Sequence, residues 1–404
     1  MNNINFDELI DRRNSNSIKW NMAFGNIPLR DDQIPMWVAD MDFKVAPEIA
    51  DSIKKLADYG IFGYFDYNDY YDTVIKWHKE RYNWDIKKEW LNFTQGLVQG
   101  FNIAISTLTH IGDSVLVLTP TYYPMFAGIK NQGCQIIESD LIYDEKTCKY
   151  TINYEDVKNK AKLPNVTAAL IGNPHNPTGR LYSIEELSKL ADILIENNVK
   201  IICDDIHCDI IVDPSKTYTP LASIKKYSDH IIAMNAPSKT FNLAGAKVSN
   251  VIIQNSEINN IFKLQMERFC VSTSIFSLAA CKEAYSKCAY WVDEMRNYVW
   301  GNYNYVKDYI SNSILKDYIK PVPLEGSYLM FADNKNLMKE FNMNQDDLKD
   351  FYCNYCNLSL DDGDAFGKAG IGFMRFNLAT QRYYIEKAMN NICEAIKKIK
   401  KGVK

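Results

Sequence analysis

The sequence lacks the features that attach a protein to a membrane, to nucleic acid or to an export pathway. It has no run of about 18 consecutive apolar residues, and the polar segment Met1–Trp20 contains no apolar stretch like that of a signal peptide. The formal net charge is only −4, from 46 basic and 50 acidic residues, so no long-range field favours nucleic acid or an anionic membrane. We therefore expect a soluble, cytoplasmic protein with a small-molecule substrate.

Histidine is scarce, with 5 residues, and the 10 cysteines are dispersed along the chain. Dispersed cysteines in a long chain indicate reduced thiols rather than a disulfide framework. Cys353 and Cys356 have CxxC spacing, but no second pair follows, so the four-ligand pattern of a structural zinc site is incomplete. The sequence predicts no metal site.

The composition and the pattern of apolar residues are typical of a large α/β protein. A chain of 404 residues, 47% hydrophobic and 24% charged, is long enough for one large core and a smaller lobe. Short apolar runs alternate with stretches of 3.6-residue periodicity, which predicts βαβ units and a mainly parallel central sheet between helices. The predicted strands are Ser114–Leu118, Ala168–Gly172, Lys200–Cys203, Ile231–Met234 and one near Val248–Gln254; the predicted helices are Leu97–Thr109 and one that runs from the capping box Ser183/Glu186 to about Asn197.

The pattern changes after residue 290. A long helical stretch follows, then a break at Pro321–Pro323, a strand at Gly326–Ala332 and mixed helix and strand to the end. We expect a large domain over residues 47–290 and a smaller α+β domain over residues 291–404. Residues 1–46 are expected to form a segment that contributes to the small domain and to the active site.

Polar side chains follow several predicted strands, at the edge where open α/β sheets leave a crevice for ligands. The segment Asn173–Gly179 contains two prolines that fix the backbone, while Asn176 offers a donor to an oxyanion. Asp204 ends the strand Lys200–Cys203 and would need a cation if buried, because an unpaired buried carboxylate costs on the order of several kcal/mol. A protonated pyridine nitrogen would serve, although Asp204 could also cap a helix. His207 by itself could be an ordinary core histidine.

Lys239 follows the predicted strand Ile231–Met234 and has small neighbours that would let a ligand come close. In an apolar pocket the charged form of a lysine loses solvation, so its pKa falls and the neutral amine can attack an aldehyde. Lys239 lies 35 residues after Asp204, about the length of one βαβ unit, and both side chains are therefore expected at the same sheet edge. The alternative interpretation is a surface lysine in a loop.

A glycine turn at Thr94–Gly100 opens the first predicted helix. Free N–H groups and the helix dipole at such a start can hold a phosphate. The segment has neither the lysine of a P-loop nor GxGxxG spacing, so it does not indicate a nucleotide site. Helix starts of this kind are common, and the turn alone does not identify a ligand.

Taken in order, these segments resemble the fold type I enzymes of the class I/II aminotransferase superfamily, which use pyridoxal 5′-phosphate (PLP), over essentially the whole chain. The N-terminal motifs Asp11–Arg13, Lys19–Trp20 and Pro35–Phe43 resemble the MalY/PatB branch, which cleaves carbon–sulfur bonds in cystathionine and cysteine derivatives. His207 points to the same branch, because typical aminotransferases carry a tyrosine at that place.

The resemblance implies a role for individual residues. Lys239 would bind PLP as an imine and carry protons, Asp204 would pair with the pyridine nitrogen, and Asn176 would donate to the ring O3′. Arg375 resembles the arginine that holds a substrate α-carboxylate by two parallel bonds; otherwise it is a surface arginine at a strand edge. Tyr64 resembles a tyrosine that reaches the phosphate of a neighbouring subunit, which implies a homodimer with active sites at its interface. The resemblance further assigns Tyr123 to catalysis, Gly96, Leu97, Val98, Tyr122, His207 and Ser238 to the cofactor, and Ala39, Asp40 and again Asn176 to the substrate.

The implied activity is α,β-elimination, which releases a thiol, pyruvate and ammonia from L-cystathionine or a cysteine-type substrate. Ala236 and Lys247 stand where many aminotransferases place a serine and an arginine on the phosphate, so the phosphate contacts beyond residues 96–98 stay open. Two alternatives remain: an aminotransferase, which would share every cofactor contact, and a regulatory protein that binds PLP and a transcription factor. Retention of the lysine, its acidic partner and the arginine favours catalysis.

Overall fold

The computed structural model describes residues 4–66 and 68–401. Within these residues the central element is a seven-stranded sheet with the order β1-β7-β6-β5-β4-β2-β3. Strand β7 runs antiparallel to both of its neighbours, and the other pairs are parallel. The strands are β1 Leu91–Thr94, β2 Ser114–Thr119, β3 Gln135–Asp140, β4 Val166–Gly172, β5 Lys200–Asp204, β6 Ile231–Asn235 and β7 Ser249–Ile253.

Helices cover both faces of this sheet. Consecutive strand residues point to opposite faces, so Leu116 and Ile201 join one apolar cluster while Val117 and Ile202 join another. Such strands read as continuous apolar runs because both faces are buried. The helices are α1 Ile18–Asn21, α2 Pro47–Tyr59, α3 Asn68–Tyr82, α4 Leu97–Leu108, α5 Tyr123–Asn131, α6 Tyr154–Ala161, α7 Ile184–Glu196, α8 Pro237–Thr240, α9 Ser256–Arg268, α10 Ile275–Lys287, α11 Ala289–Ser311, α12 Lys335–Glu340, α13 Gln345–Asp350 and α14 Arg382–Lys400.

The structure confirms the predicted mainly parallel sheet and its five predicted strands to within one or two residues. The capping box of Ser183 and Glu186 is present at the start of α7. Strands β1 and β3 were missed: β1 has only four residues, and β3 is a partly exposed edge strand with polar residues. The segment between Asp204 and β6 contributes to a spacing of about one βαβ unit, but it contains only single 3-10 turns, at Leu221–Ser223 and Ser228–His230, and no α-helix.

A second, four-stranded sheet lies in the C-terminal third and has the order β8-β9-β11-β10. The third strand in this order carries Arg375. The strand predicted to begin at Gly326 begins instead at Leu329, because Ser327 has a left-handed backbone conformation, with φ +70°. The strands are β8 Lys320–Pro321, β9 Leu329–Asp333, β10 Asp361–Asp362 and β11 Phe373–Asn377.

The N-terminal segment contacts this C-terminal region directly. Ile34–Pro35 pairs in parallel with Leu358–Ser359, and the backbone N–H of Asp42 donates to Ala379 O at 2.9 Å. The domain boundaries at residues 46 and 290 stay a prediction. Among the described residues, no helix combines the length and the apolar composition that crossing a bilayer requires.

Candidate active site

A cavity of about 440 Å³ opens at the carboxyl ends of β4, β5 and β6. Parallel strands that end at one edge bring residues from distant parts of the chain together there. Ten of the fourteen residues predicted for the site line this cavity: Ala39, Gly96, Leu97, Val98, Tyr122, Asn176, Asp204, His207, Ser238 and Lys239.

Lys239 lies in the single-turn helix α8, directly after β6, and its partly buried side chain forms part of the cavity wall. Its amine donates a 2.6 Å hydrogen bond to the carbonyl oxygen of Ala39. Burial lowers the pKa of this amine to about 8, against the opposing pull of the Asp40 and Asp204 charges. A useful fraction of the amine is therefore neutral close to neutral pH.

Asp204 is the last residue of β5 and is buried. Its carboxylate accepts a hydrogen bond from the backbone N–H of Ile206 at 3.3 Å, and in the described part of the chain no cationic side chain forms a salt bridge with it. Burial raises its pKa to about 7. The side chain thus has the capacity to pair with a cation brought by a ligand.

His207 lies one turn beyond Asp204 and is also buried. Its ring lies edge-on to Tyr328, with 6.0 Å between the ring centroids, and its Nδ1 has no hydrogen-bond partner among the described residues. Burial lowers the pKa of the imidazole to about 3, so the ring is neutral at physiological pH. A neutral imidazole offers one donor and one acceptor to the cavity.

The glycine turn lies where the first helical turn of α4 meets the cavity. Gly96 has φ +85°, a conformation that favours glycine, and the N–H groups of residues 97–99 belong to the first turn, where a helix leaves its donors unpaired. Lys247 lines the same cavity. The N-terminus of α4 and the side chain of Lys247 together make this part of the cavity electropositive, which suits a phosphate.

Arg375 lies on β11 and is buried beside the cavity rather than among the residues that line it. Its Nη1 donates to Asn176 Oδ1 at 2.8 Å and its Nη2 donates to Trp37 O at 3.1 Å. Asp361 forms a salt bridge with the same guanidinium. The contact with Arg375 fixes the Asn176 amide so that Nδ2, its donor, faces away from the arginine.

Three other predicted residues also lie outside the cavity lining. Asp40 is paired with Arg12, and Tyr123 is partly exposed, with its ring 5.5 Å from that of Tyr122. Tyr64 is fully exposed on the segment between α2 and α3. The roles of these residues stay predictions.

Sequence reasoning missed several side chains of the site. Phe101, Met125 and Ile206 line the cavity as its apolar wall, but as buried or partly buried apolar residues they carry no signal that separates them from the core. Asp361 gave no signal because it lies in an acid-rich run, Asp361–Asp364. No group of three metal-ligating side chains was found among the described residues.

Comparison with known proteins agrees with this arrangement. The family model described as aminotransferase class I and II matches residues 31–392. The chain belongs to this family. Cystathionine beta-lyase PatB of Bacillus subtilis is 32% identical to it, over 97% of this chain and 100% of that protein.

Two solved structures share the fold at similar identity. Cystalysin from Treponema denticola, which contains a pyridoxal 5′-phosphate cofactor, has a TM-score of 0.92 and 33% identity, over 98% of this chain and 99% of that one. The PLP-bound C-S lyase from Staphylococcus hominis has a TM-score of 0.89 and 31% identity, over 97% and 98% of the two chains.

Proposed function

We propose that this protein is a PLP-dependent carbon–sulfur lyase that cleaves L-cystathionine or a cysteine-type substrate by α,β-elimination. One observation carries the proposal: a partly buried lysine of lowered pKa faces, in a single cavity at a helix start, a buried carboxylate that forms no salt bridge with any described residue. The similarity to PatB, cystalysin and a C-S lyase supports the choice of reaction within the family.

The side chains of the cavity fit PLP. Asp204 would hold the pyridine nitrogen protonated, and this partner would supply the cation that the buried carboxylate lacks. The first turn of α4 and Lys247 would hold the phosphate, while His207 Nδ1 is a buried polar atom that needs a partner. The amine of Lys239 would bind the cofactor aldehyde.

When bound, PLP supplies an electron-withdrawing ring that stabilises negative charge at the substrate Cα. Lys239 would take the Cα proton of the substrate, because its lowered pKa leaves the amine partly neutral. The same ammonium would then donate this proton to the departing thiolate, so that the product leaves as a thiol. Ala39 O, which accepts a hydrogen bond from this amine, holds the lysine at the edge of the cavity.

Arg375 binds the substrate α-carboxylate and thereby sets the orientation of the bonds at Cα. The guanidinium is fixed by Asn176, Trp37 O and Asp361 before a substrate arrives, so little side-chain entropy remains to be lost. Orientation would decide the outcome, because elimination requires the Cα–H and Cβ–S bonds of the substrate to be held in the alignment in which both can break.

We also infer that the active protein is a homodimer. An exposed rim, formed by Tyr59, Ile61, Phe62 and Tyr64, places large apolar side chains in solvent, which is typical of a surface that a partner covers. The ring of Phe62 packs on the ring of Phe276, with 5.0 Å between the centroids. Phe276 lies four residues after Ser272, whose carbonyl oxygen accepts a hydrogen bond from the side chain of the cavity residue Gln95. The rim therefore lies close to the mouth of the cavity, where Tyr64 of a second copy would contribute to the site.

A turnover assay distinguishes the lyase from an aminotransferase. The purified protein receives L-cystathionine as sole substrate, and thiol and pyruvate are measured over time. We expect many turnovers per site without any added keto acid, since elimination restores the starting enzyme. An aminotransferase would stop after one turnover until a keto acid was supplied, and this result, together with absence of thiol, would refute the lyase assignment but not PLP binding.

A further inference from the structure

Four of the N-terminal residues that resemble the MalY/PatB branch meet in one largely buried ionic cluster, which we call the N-terminal clamp: Arg12, Lys19, Asp40 and Asp42. Lys19 has 0% and Asp42 2% of its surface exposed. These residues come from two segments that are separated by more than 20 positions in the sequence. The cluster lies outside the cavity, and the proposed reaction does not explain it.

Asp42 is the centre of the clamp. Its carboxylate accepts hydrogen bonds from Lys19 Nζ and Arg12 Nη1, both at 2.6 Å, and from Trp20 Nε1 at 2.7 Å. Burial opposes its ionisation, but the charges of Lys19 and Arg12 outweigh burial and lower the pKa of the carboxyl. Asp42 is therefore a carboxylate at neutral pH.

Arg12 connects the Asp42 carboxylate to the neighbouring residues Asp40 and Met41. Its two Nη atoms donate to the two oxygens of Asp40 at 3.2 and 3.1 Å, and Nη1 also donates to Met41 O at 3.1 Å. A planar guanidinium fixes direction as well as distance through such paired contacts. From the other side, Asn377 Nδ2 donates to Val38 O and Asp40 O at 2.7 and 2.6 Å.

The main chain held in this way accepts hydrogen bonds from both of the basic side chains that the proposed reaction uses. Trp37 O accepts a hydrogen bond from Arg375 Nη2 at 3.1 Å. Ala39 O accepts one from Lys239 Nζ at 2.6 Å and another from the Tyr328 hydroxyl at 2.9 Å. Two carbonyls, two residues apart, thus orient the arginine and the lysine.

Buried ion pairs of this kind contribute little net stability, because desolvation offsets most of the attraction. They do impose a definite geometry on the chain that carries them. We propose that Arg12 and Asp42 are positioning residues, which hold the main chain of residues 37–41 so that its carbonyls place Arg375 and Lys239 for reaction. This inference rests on the proposed lyase function.

Displacement of this main chain would disturb two separate steps at once. Arg375 acts in substrate binding and Lys239 in proton transfer, so a shift should raise KM and lower kcat together. A misplacement of about 1 Å can reduce a rate by about a hundredfold. A cluster that served stability alone would change the amount of folded protein and leave both constants unaltered.

The neighbouring arginine supplies a matched control. Arg13 donates to Asp31 O at 2.8 Å and Gln33 O at 3.4 Å, not to residues 37–42. Its guanidinium lies 5.7 Å from the Trp20 ring. Arg12→Gln and Arg13→Gln therefore remove the same charge from the same segment, but only the first removes contacts with the held main chain.

The test uses the PLP-loaded, full-length protein. KM and kcat per bound cofactor are measured with L-cystathionine, and the absorbance of the bound cofactor is titrated against pH. We expect Arg12→Gln to lower kcat/KM by about ten- to a hundredfold, with both constants affected, and to shift the absorbance midpoint. Arg12→Lys, which keeps the charge but not the fork, should lie between Arg12→Gln and the unaltered protein, whereas Arg13→Gln should match the unaltered protein.

Equal behaviour of Arg12→Gln and Arg13→Gln in both constants and in the midpoint would overturn the inference. If Arg12→Gln does not fold, the same comparison is made between Arg12→Lys and Arg13→Gln, with the same two readings. Failure of the proposed function is separate, because it would be seen first in the unaltered protein as absence of thiol. In that case the absorbance midpoint decides the positioning role of Arg12.

Discussion

The strand-end residues and the exposed rim are two parts of one expected site, and they differ in how complete they are within a single chain. Asn176, Asp204 and Lys239 lie at one sheet edge and face one cavity. Tyr64, on the rim, projects into solvent. Folding of the single chain brings the residues of the first region together, whereas the proposed role of Tyr64 depends on a second copy of the chain.

This difference has a physical cause. The strand ends are fixed by backbone hydrogen bonds and by apolar packing on both faces of the sheet. Folding of a single chain is therefore enough to remove water from around Asp204 and Lys239. The rim leaves large apolar side chains in water, a cost that only a covering surface would remove. Chemistry and assembly can therefore be tested separately, through one residue from each region.

The largest effect is expected at Lys239. Lys239→Ala removes the amine that we propose both binds the cofactor and moves the Cα proton, so kcat should fall by about a hundredfold to ten-thousandfold. Steady-state thiol release measures this change. Lys226→Ala, at an exposed lysine that pairs with Asp192, is the control and should retain full activity. Comparable activity in both variants would remove Lys239 from the reaction.

An intermediate effect is expected from Asp204→Asn in the cofactor-free protein. Burial raises the pKa of folded Asp204 to about 7, whereas an unfolded aspartate has a pKa of about 3.9. Between these values the folded state binds more protons than the unfolded state, so stability falls as pH rises through this window, by an amount on the order of a few kcal/mol. Asparagine at this position does not ionise, so the variant does not lose this stability as pH rises.

Thermal unfolding of the cofactor-free proteins tests whether stability falls as pH rises through this window. Asp204→Asn should have a higher Tm than the unaltered protein at pH 8, with the difference closing towards pH 4. Asp58→Asn, at an exposed position, should leave the pH dependence unchanged. A lower Tm for Asp204→Asn at pH 8 would mean that the folded protein already supplies a cation to this carboxylate.

The smallest effect is expected at the rim. If Tyr64 donates one hydrogen bond to the phosphate of a neighbouring subunit, Tyr64→Phe should weaken PLP binding by about tenfold, as loss of one bond to a charged group implies. Mixing this variant with Lys239→Ala should form hybrid dimers with one repaired site, and at a limiting PLP concentration, below the Kd of Tyr64→Phe, activity should exceed that of either parent. No recovery, with subunit exchange shown independently, would argue for a site within one chain.

The residues that sequence reasoning could locate share a local signal. Asp204 and Lys239 each follow an apolar run by a few residues, and the period of those runs indicates a parallel sheet. Resemblance then added Arg375 and the N-terminal motif, which no periodicity identifies. The 3-10 turns between β5 and β6 were not foreseen, because segment length alone does not distinguish a helix from an irregular connection.

The sequence by itself determined the order of the strands along the chain and the chemistry at their ends, because apolar runs and the polar residues that follow them are local features. Only the tertiary structure decided that Ala39 O meets Lys239 and that Arg375 meets Asn176, contacts that span 200 and 199 positions. Burial that depends on the whole fold sets the pKa of Asp204 and of Lys239. Contacts of such length arise from the packing of the N-terminal segment and the second sheet against the strand ends, and no pattern within a short window contains that information.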